Sequence, residues 1–593
     1  MYNVYLFQPQ YSVEFRKETN YWLPYSAGCL WSYASQFSEI TENFDLKELI
    51  FKRDPHQAVL DRLDNPKLCG FSCYTWNEYY CIELAKKIKQ HWPDCIIVFG
   101  GPQAGERMSG YDFIDSVVLS EGELAFTELL KTIIAGETIK SVYPRSRLKD
   151  LDIPSPYITG VFDKIVNEHP DAIWAMTLET NRGCPYACTF CDWGGLTYSK
   201  VAKFKLGRII DEMSWAAKNR VAYIFNADAN FGIFKERDLE IAKIIRQAAD
   251  NSRIETVNLQ YAKNSTETVF EIARIMGPLS RGVTFSMQSM HDLTLDAIKR
   301  KNMETNNISY LLELSRKYDI STYSELILGL PEETKESWIT GLNQLLELGQ
   351  HQAIDAWLCQ LFTNSELATE ESRRKYEIST VMVKDYMSLG KNDEDIPESI
   401  EIINSTNTMT TEEMIDCYMY SWMIIQFHTM GYTQIIAKYA RNIAGIAYRT
   451  FYDEFFDAVQ QDPVFKDHYT AMRFTVKNYL YYGLLGKDSA GGHALHAGSC
   501  KFMYEHKHQA ARLALSVLQT LTSDVTTDLL DLQNSFTVDA NATYPISLQT
   551  NYNVETGSKT PTNYTATSRV EGKLEDFYAL RRQGRIKNLL VTS

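Results

Sequence analysis

The chain has 593 residues and a formal net charge of −15, and 45% of its residues are hydrophobic. At the usual domain size that length supports about three or four domains with cores of their own. The acidic balance and the lack of a Lys/Arg stripe disfavour nucleic acid as a partner and leave a small or neutral substrate.

The opening "MYNVYLFQPQYSVEF" has no basic n-region and no cleavage site, so it does not read as a leader. No run of about 18 apolar residues occurs, so no membrane span is expected. Eleven cysteines, scattered outside one cluster, do not make a disulfide framework and point to a reducing, cytoplasmic setting.

Residues 1–145 alternate strand and helix signals. "NVYLFQP", "KLCGFSCYTW", "CIIVFGGPQAG" and "SVVLSEGE" read as strands or strand ends. "AGCLWSYASQF", "NEYYCIELAKKIKQHWP" (with Asn77 as its N-cap) and "LAFTELLKTII" read as helices. Such alternation makes a doubly wound parallel sheet, whose ligands sit beyond the carboxyl ends of the strands. Those ends are Ser72–Asn77, Gly100–Gln103 and Glu121–Glu123. Residues 146–172 read as a linker.

From 173 to 370 the alternation resumes. "IWAMTLETNRGC", "VAYIFNADANFG", "IETVNLQYAKN", "RGVTFSMQSM", "YSELILGLP" and "AIDAWLCQLF" are strands separated by helical segments. About six βα units fit a partial (β/α) barrel, with chemistry at the C-terminal strand ends. The polar residues there are Asp228, Asn230, Ser286, Gln288, Ser289 and Glu325.

The loop "RGCPYACTFCDWGG" gathers Cys184, Cys188 and Cys191. Three thiolates can ligate three irons of a cubane cluster and leave the fourth iron open to a ligand. A structural zinc would want four ligands, and no second pair lies nearby. C-x3-C-x2-C with Phe190 before the last cysteine resembles the signature of radical S-adenosylmethionine enzymes. In that family the open iron chelates S-adenosylmethionine, and one electron cleaves it to a deoxyadenosyl radical. By the same resemblance, Asp228 and Asn230 of "NADANFG" stand where the methionine amino group is met. Ser286 and Gln288 stand at the ribose strand and Glu325 beside adenine. Lys263 is either a methionine-carboxylate partner or an exposed helix-start lysine.

A flavodoxin-like (Rossmann-type) sheet ahead of such a barrel resembles the cobalamin-binding subgroup, the class B methyltransferases. "LPYSAG" (23–28, with Pro24 and Gly28), "GGP" and "EGE" occur in the subgroup's order. The resemblance implies corrin contacts from Ser72, Tyr74, Trp76, Gly100, Gly101, Pro102, Gln103, Glu121, Gly122 and Glu123. The D-x-H-x-x-G motif is absent, and "DPHQAV" around His56 is not read as a cobalt ligand.

Residues 371–593 read as a mainly α domain that caps the substrate pocket. It carries a Thr410–Glu413 capping box and a Gly431 stop. The His493, His496, Cys500, His506, His508 group reads as a polar helix face rather than a metal site, residues 551–568 as a loop, and "RRQGRIKNLL" as a solvated helix. The resemblance therefore implies a [4Fe–4S] cluster, S-adenosylmethionine, cobalamin and an electron donor such as flavodoxin or ferredoxin. The expected activity is methyl transfer to an unactivated carbon of a small molecule or peptide. Alternatives are a radical rearrangement or cyclisation without net methylation, and a non-catalytic cobalamin and cluster sensor. A tRNA methylthiotransferase would want further N-terminal cluster cysteines and a basic tail domain, and neither is evident.

Overall fold

The computed structural model describes residues 1–592 apart from 12, 16–17, 193–199, 264–265, 386–395, 485–498, 540–541 and 571–585. Two compact units emerge. One comprises Met1–Ser280, Gln360–Arg374 and Lys384–Glu401; the other comprises Arg281–Cys359, Lys375–Val383 and Ile402–Ser593.

The first unit opens with β1 (Tyr2–Gln10), followed by β2 (Val13–Phe15), β3 (Glu18–Trp22), β4 (Phe44–Lys52), β5 (Pro66–Ser72), β6 (Ile96–Gly100), β7 (Ser116–Ser120) and β8 (Val142–Ser146). Six of these form one sheet in the order β4-β1-β5-β6-β7-β8, with every neighbouring pair parallel. This is the flavodoxin-like order. Val4, Tyr5, Leu6 and Phe7 are all buried, which covers both faces of β1 and explains why a central parallel strand reads as a continuous apolar run. The strand order reverses between β1 and β5, and that crevice is where ligands of such sheets bind.

Asn77 holds the crevice together. The sequence suggests an N-cap, but its side chain makes no cap bond. Instead its Nδ2 donates to Pro9 O (3.0 Å) and Ser72 O (3.1 Å), and its Oδ1 accepts from Tyr74 N (2.8 Å). A fully buried amide satisfies three backbone groups at two strand ends, a stronger use of its polar atoms than one exposed cap.

A second sheet in this unit contains β9 (Ile173–Leu178), β12 (Val221–Asn226) and β13 (Thr256–Asn258). Its order is β13-β12-β9-β3-β2, so the N-terminal segment lends β3 to it, running parallel to β9. A short antiparallel pair, β10 (Asn181–Arg182) with β11 (Ala202–Lys203), stands after β9.

In the second unit, β14 (Val283–Gln288), β15 (Thr322–Leu328) and β16 (Ile354–Leu358) form a parallel sheet. The expected βα units thus occur as two parallel sheets. The C-terminal region is mainly helical. Thr410 and Glu413 make the reciprocal capping box, and Gly431 follows the helix with φ +87° after a π-helical stretch at Ile424–Thr429. Two expectations fail here. Strands Ile546–Thr550, Thr562–Val570 and Ile586–Thr592 form an antiparallel sheet, and the last two fall where a loop (551–568) and a solvated helix were expected. Burial of alternate residues Tyr564 and Ala566 gives the first of these misread segments its strand face. The "RRQGR" part of the expected helix, with His493 and His496, lies outside the described residues. Among the described residues, no helix is long and apolar enough to cross a membrane.

Candidate active site

The cysteine loop leaves β9 and turns at Gly183, whose φ is +110°. A Cβ there would lie 2.7 Å from Lys200 O, so only glycine admits the turn that delivers Cys184. The start of the loop is pinned by Asp228 from the end of β12. Its carboxylate accepts from Thr180 N (2.7 Å), Asn181 N (3.0 Å), Asn181 Nδ2 (2.8 Å) and the Thr180 hydroxyl. Burial pushes this carboxyl up to about 7. The residue expected to meet a methionine amino group therefore has both oxygens engaged in bracing the cysteine loop.

Cys184 and Cys188 are buried, Cys191 is half-buried, and none of the three is in a disulfide. Cys191 N donates to Cys188 O (3.1 Å), which closes the tight turn that a two-residue spacing allows. Two nitrogens reach the sulfurs. Asn230 Nδ2 donates to Cys184 Sγ and Lys263 Nζ to Cys188 Sγ, each at 3.3 Å. The Lys263 backbone N also donates to Asn230 Oδ1 (3.5 Å). Lys263 is thus a partner of the cysteine loop, not an exposed helix-start residue. N–H and ammonium donors at these sulfurs would share the negative charge of a cluster held there. Among the described residues no three His, Cys, Asp or Glu side chains converge on one point, as a mononuclear zinc site would need. Thiolates that each ligate a different iron need not converge, so the donor set fits a cubane cluster. Phe190 is half-buried on the same loop.

In the second unit, Ser286 Oγ donates to Glu325 Oε2 (3.0 Å), which joins two of the residues expected near ribose and adenine. Gln288 ends β14 just past a register shift, with φ +66°. Ser289 Oγ donates to the buried Glu333 (2.5 Å). Arg300 caps Ser286 O.

At the ends of β5 and β6 the backbone is tightly knit. Cys73 N donates to Gly100 O (2.7 Å) and Gln103 N to Cys73 O (3.1 Å). Gly101 has φ +95°, and a Cβ there would lie 2.6 Å from Cys73 O. Its glycine is demanded by this loop packing and not only by a ligand. Tyr74 and Trp76 stack with ring centroids 4.5 Å apart, and Tyr74 shares a hydrogen bond with Ser26 (2.5 Å). Trp76 Nε1 is buried with no hydrogen-bond partner. A flat aromatic pair with an orphan donor, set at the crevice beside Ser72, fits the face and amides of a corrin. His56 packs edge-on against Tyr80 (4.5 Å) on a different helix, and burial pushes it down to about 4. It is a neutral core residue.

Glu121 and Glu123, expected beside the corrin, also have partners of their own within the protein. Glu123 pairs with Arg182 (2.8 Å). Glu121 accepts from Leu148 N (2.8 Å) and lies 3.7 Å from Arg147 and 3.8 Å from Arg182. Carboxylates withdrawn from water need cations, and the nearest ones sit on and around the cysteine loop. Sequence reasoning had no local signal for the pairing of Arg182 with Glu123, because the two are remote in the chain.

Residues 178–344 match the model of the Radical SAM superfamily. The chain is 34% identical over 489 residues to the cobalamin-dependent radical SAM methyltransferase TokK of Streptomyces tokunonensis, covering 77% of this chain and 71% of that protein. It is 33% identical over 486 residues to the 2-(S-pantetheinyl)-carbapenam-3-carboxylate methyltransferase of Streptantibioticus cattleyicolor, with the same coverage. Among solved structures, the radical S-adenosylmethionine methyltransferase TsrM from Kitasatospora setae aligns at TM-score 0.49 and 15% identity, over 68% of this chain and 86% of that one.

Proposed function

The chain belongs to the cobalamin-dependent radical S-adenosylmethionine methyltransferases, and from that premise we propose that it transfers a methyl group to an unactivated carbon of a small molecule or peptide. It is an enzyme, and its cofactors are those of the family: a [4Fe–4S] cluster, S-adenosylmethionine and cobalamin. The observation that carries the reading is the three-cysteine loop with amide and ammonium donors on two of its sulfurs. A relative named for a carbapenam carboxylate supports a small molecule over a peptide.

When bound, the cluster and S-adenosylmethionine supply a hydrogen-abstracting radical, and cobalamin supplies the methyl group. The chain's own task is to hold and orient these groups. Cys184, Cys188 and Cys191 would bind the cluster, while Asn230 and Lys263 would steady its thiolates. Asp228 would keep the loop start fixed through its four hydrogen bonds. Tyr74 and Trp76 would offer an aromatic plate to the corrin. Ser286, Gln288 and Glu325 would bind S-adenosylmethionine through hydroxyl, amide and carboxylate groups.

The test uses S-adenosylmethionine with an isotopically labelled methyl group, in a reduced, anaerobic reaction with candidate small molecules. Product carrying the intact labelled methyl is expected, with deoxyadenosine formed alongside. Deoxyadenosine together with an altered but unmethylated product would replace methyl transfer by a rearrangement.

A further inference from the structure

Two separate ties join the loops assigned to the corrin with the loop assigned to the cluster, all inside the first unit. The first is Arg182, which immediately precedes Gly183 and Cys184. Its guanidinium takes Glu179 through Nε (3.0 Å) and Nη2 (2.9 Å), and Glu123 through Nη1 (2.8 Å). Its own carbonyl accepts from Arg147 Nη2 (2.9 Å), and Arg147 lies 3.7 Å from Glu121. The Glu121–Gly122–Glu123 turn is thereby fastened to the cysteine loop by charge-assisted bonds with little exposure to water.

The second tie is a short strap formed by residues 363–367. Asn364 Nδ2 donates to Pro102 O (2.6 Å) and Ala104 O (2.9 Å), and Thr363 Oγ1 donates to Gln103 Oε1 (3.1 Å). At its other end, Leu367 N donates to Thr189 O (2.9 Å), between Cys188 and Cys191. Asn364 Oδ1 lies 2.9 Å from where a Cβ on Gly105 would stand, so strap and loop are in close packing. Five residues thus span from the loop after β6 to the cysteine loop.

Resting on the cofactor assignment above, we infer that Arg182 and Asn364 are positioning residues that fix the separation between the corrin and cluster sites. The chemistry gives the separation its importance, because radical and methyl donor must address the same substrate carbon. A misplacement of about 1 Å in such an arrangement costs about a hundredfold in rate. Neither residue needs to touch a cofactor. Each fastens backbone that does.

The experiment compares wild-type protein with Asn364→Ala, Arg182→Lys and Arg182→Gln, each loaded with Co(II) cobalamin and a chemically reduced cluster. The readout is the microwave power that saturates the Co(II) paramagnetic resonance signal, which a nearby paramagnetic cluster raises according to distance. In Asn364→Ala both sites should stay filled while the relaxation enhancement falls several-fold and turnover drops about a hundredfold. Arg182→Lys keeps a charge without the fork, so it should fall between wild type and Arg182→Gln. Wild-type relaxation in both Asn364→Ala and Arg182→Gln, at full occupancy, overturns the inference. Loss of one cofactor from both Asn364→Ala and Arg182→Lys also overturns it, because the residues would then serve one site and not the spacing of two. A wild-type protein that takes up no cobalamin overturns the cofactor reading itself, before any variant is made.

Discussion

Replacing Gly101 by alanine separates the loop's own demand for glycine from any demand made by a ligand. Gly101 sits at φ +95°, and its added Cβ would lie 2.6 Å from Cys73 O and 2.8 Å from Cys73 N. Both neighbours are backbone atoms already committed to Gly100 O and Gln103 N, so neither can swing aside. A left-handed conformation costs a residue with a Cβ about 1–2 kcal/mol, and forced overpacking adds about 1–3 kcal/mol. Together Gly101→Ala should lose about 2–5 kcal/mol, or roughly 4–20 °C in Tm at the usual conversion for domains of this size. Gly100→Ala is the internal control. Its Cβ would meet only Val118, at 3.7 Å, which is ordinary contact. The assay is thermal unfolding of cofactor-free protein, with hydrogen exchange of the amides from Cys73 to Ala104. Gly101→Ala should melt early and exchange fast there, while Gly100→Ala should match wild type. Equal melting of Gly101→Ala and wild type would refute the backbone-clash argument.

The remaining predictions concern the cysteine loop. Asp228 has a folded value of about 7 against an ordinary 3.8, so folding takes up a proton. Its contribution is fully present below 3.8 and is lost as pH rises through about 7. Measured as Tm of cofactor-free protein, wild type should therefore lose ground to the non-titrating Asp228→Asn between those limits, and a constant gap would contradict the assignment. Lys263→Ala removes an ammonium 3.3 Å from Cys188 Sγ, so the cluster should become harder to reduce. Potentiometric titration should show a downward shift of about 59 mV for each tenfold loss in preference for the reduced form. An unchanged potential would mean that the ammonium does not act on the cluster.

What could be read from the sequence was local or strongly apolar. β1, β5 and β6 are buried on both faces, so they stand out as continuous runs, and strand–helix alternation makes them members of a parallel sheet. The cysteine spacing and the Thr410–Glu413 box are complete within a few residues. β4 was missed because "FDLKELIFK" lies at the sheet edge and mixes charges into its pattern. The C-terminal strand Thr562–Val570 was missed because its buried alternate positions, Thr562, Tyr564 and Ala566, include just two apolar residues among polar neighbours. The pairing of Arg182 with Glu123 and of Asn364 with Pro102 joins residues far apart in sequence. Nothing local marks such partners, so the arginine that the "EGE" carboxylates face was not legible beside the turn itself.

The central claim is that one chain holds two independent redox cofactors, the cluster on Cys184, Cys188 and Cys191 and cobalamin on the first sheet. The most direct measurement is iron, sulfide and cobalamin per chain in anaerobically reconstituted wild type and Cys184→Ala, with deoxyadenosine formation followed in parallel. Wild type should retain both cofactors after gel filtration and form deoxyadenosine. Cys184→Ala should retain cobalamin while losing the cluster and deoxyadenosine together. A Cys184→Ala protein with a full cluster, or a wild type stripped of all cobalamin by gel filtration, would contradict the account.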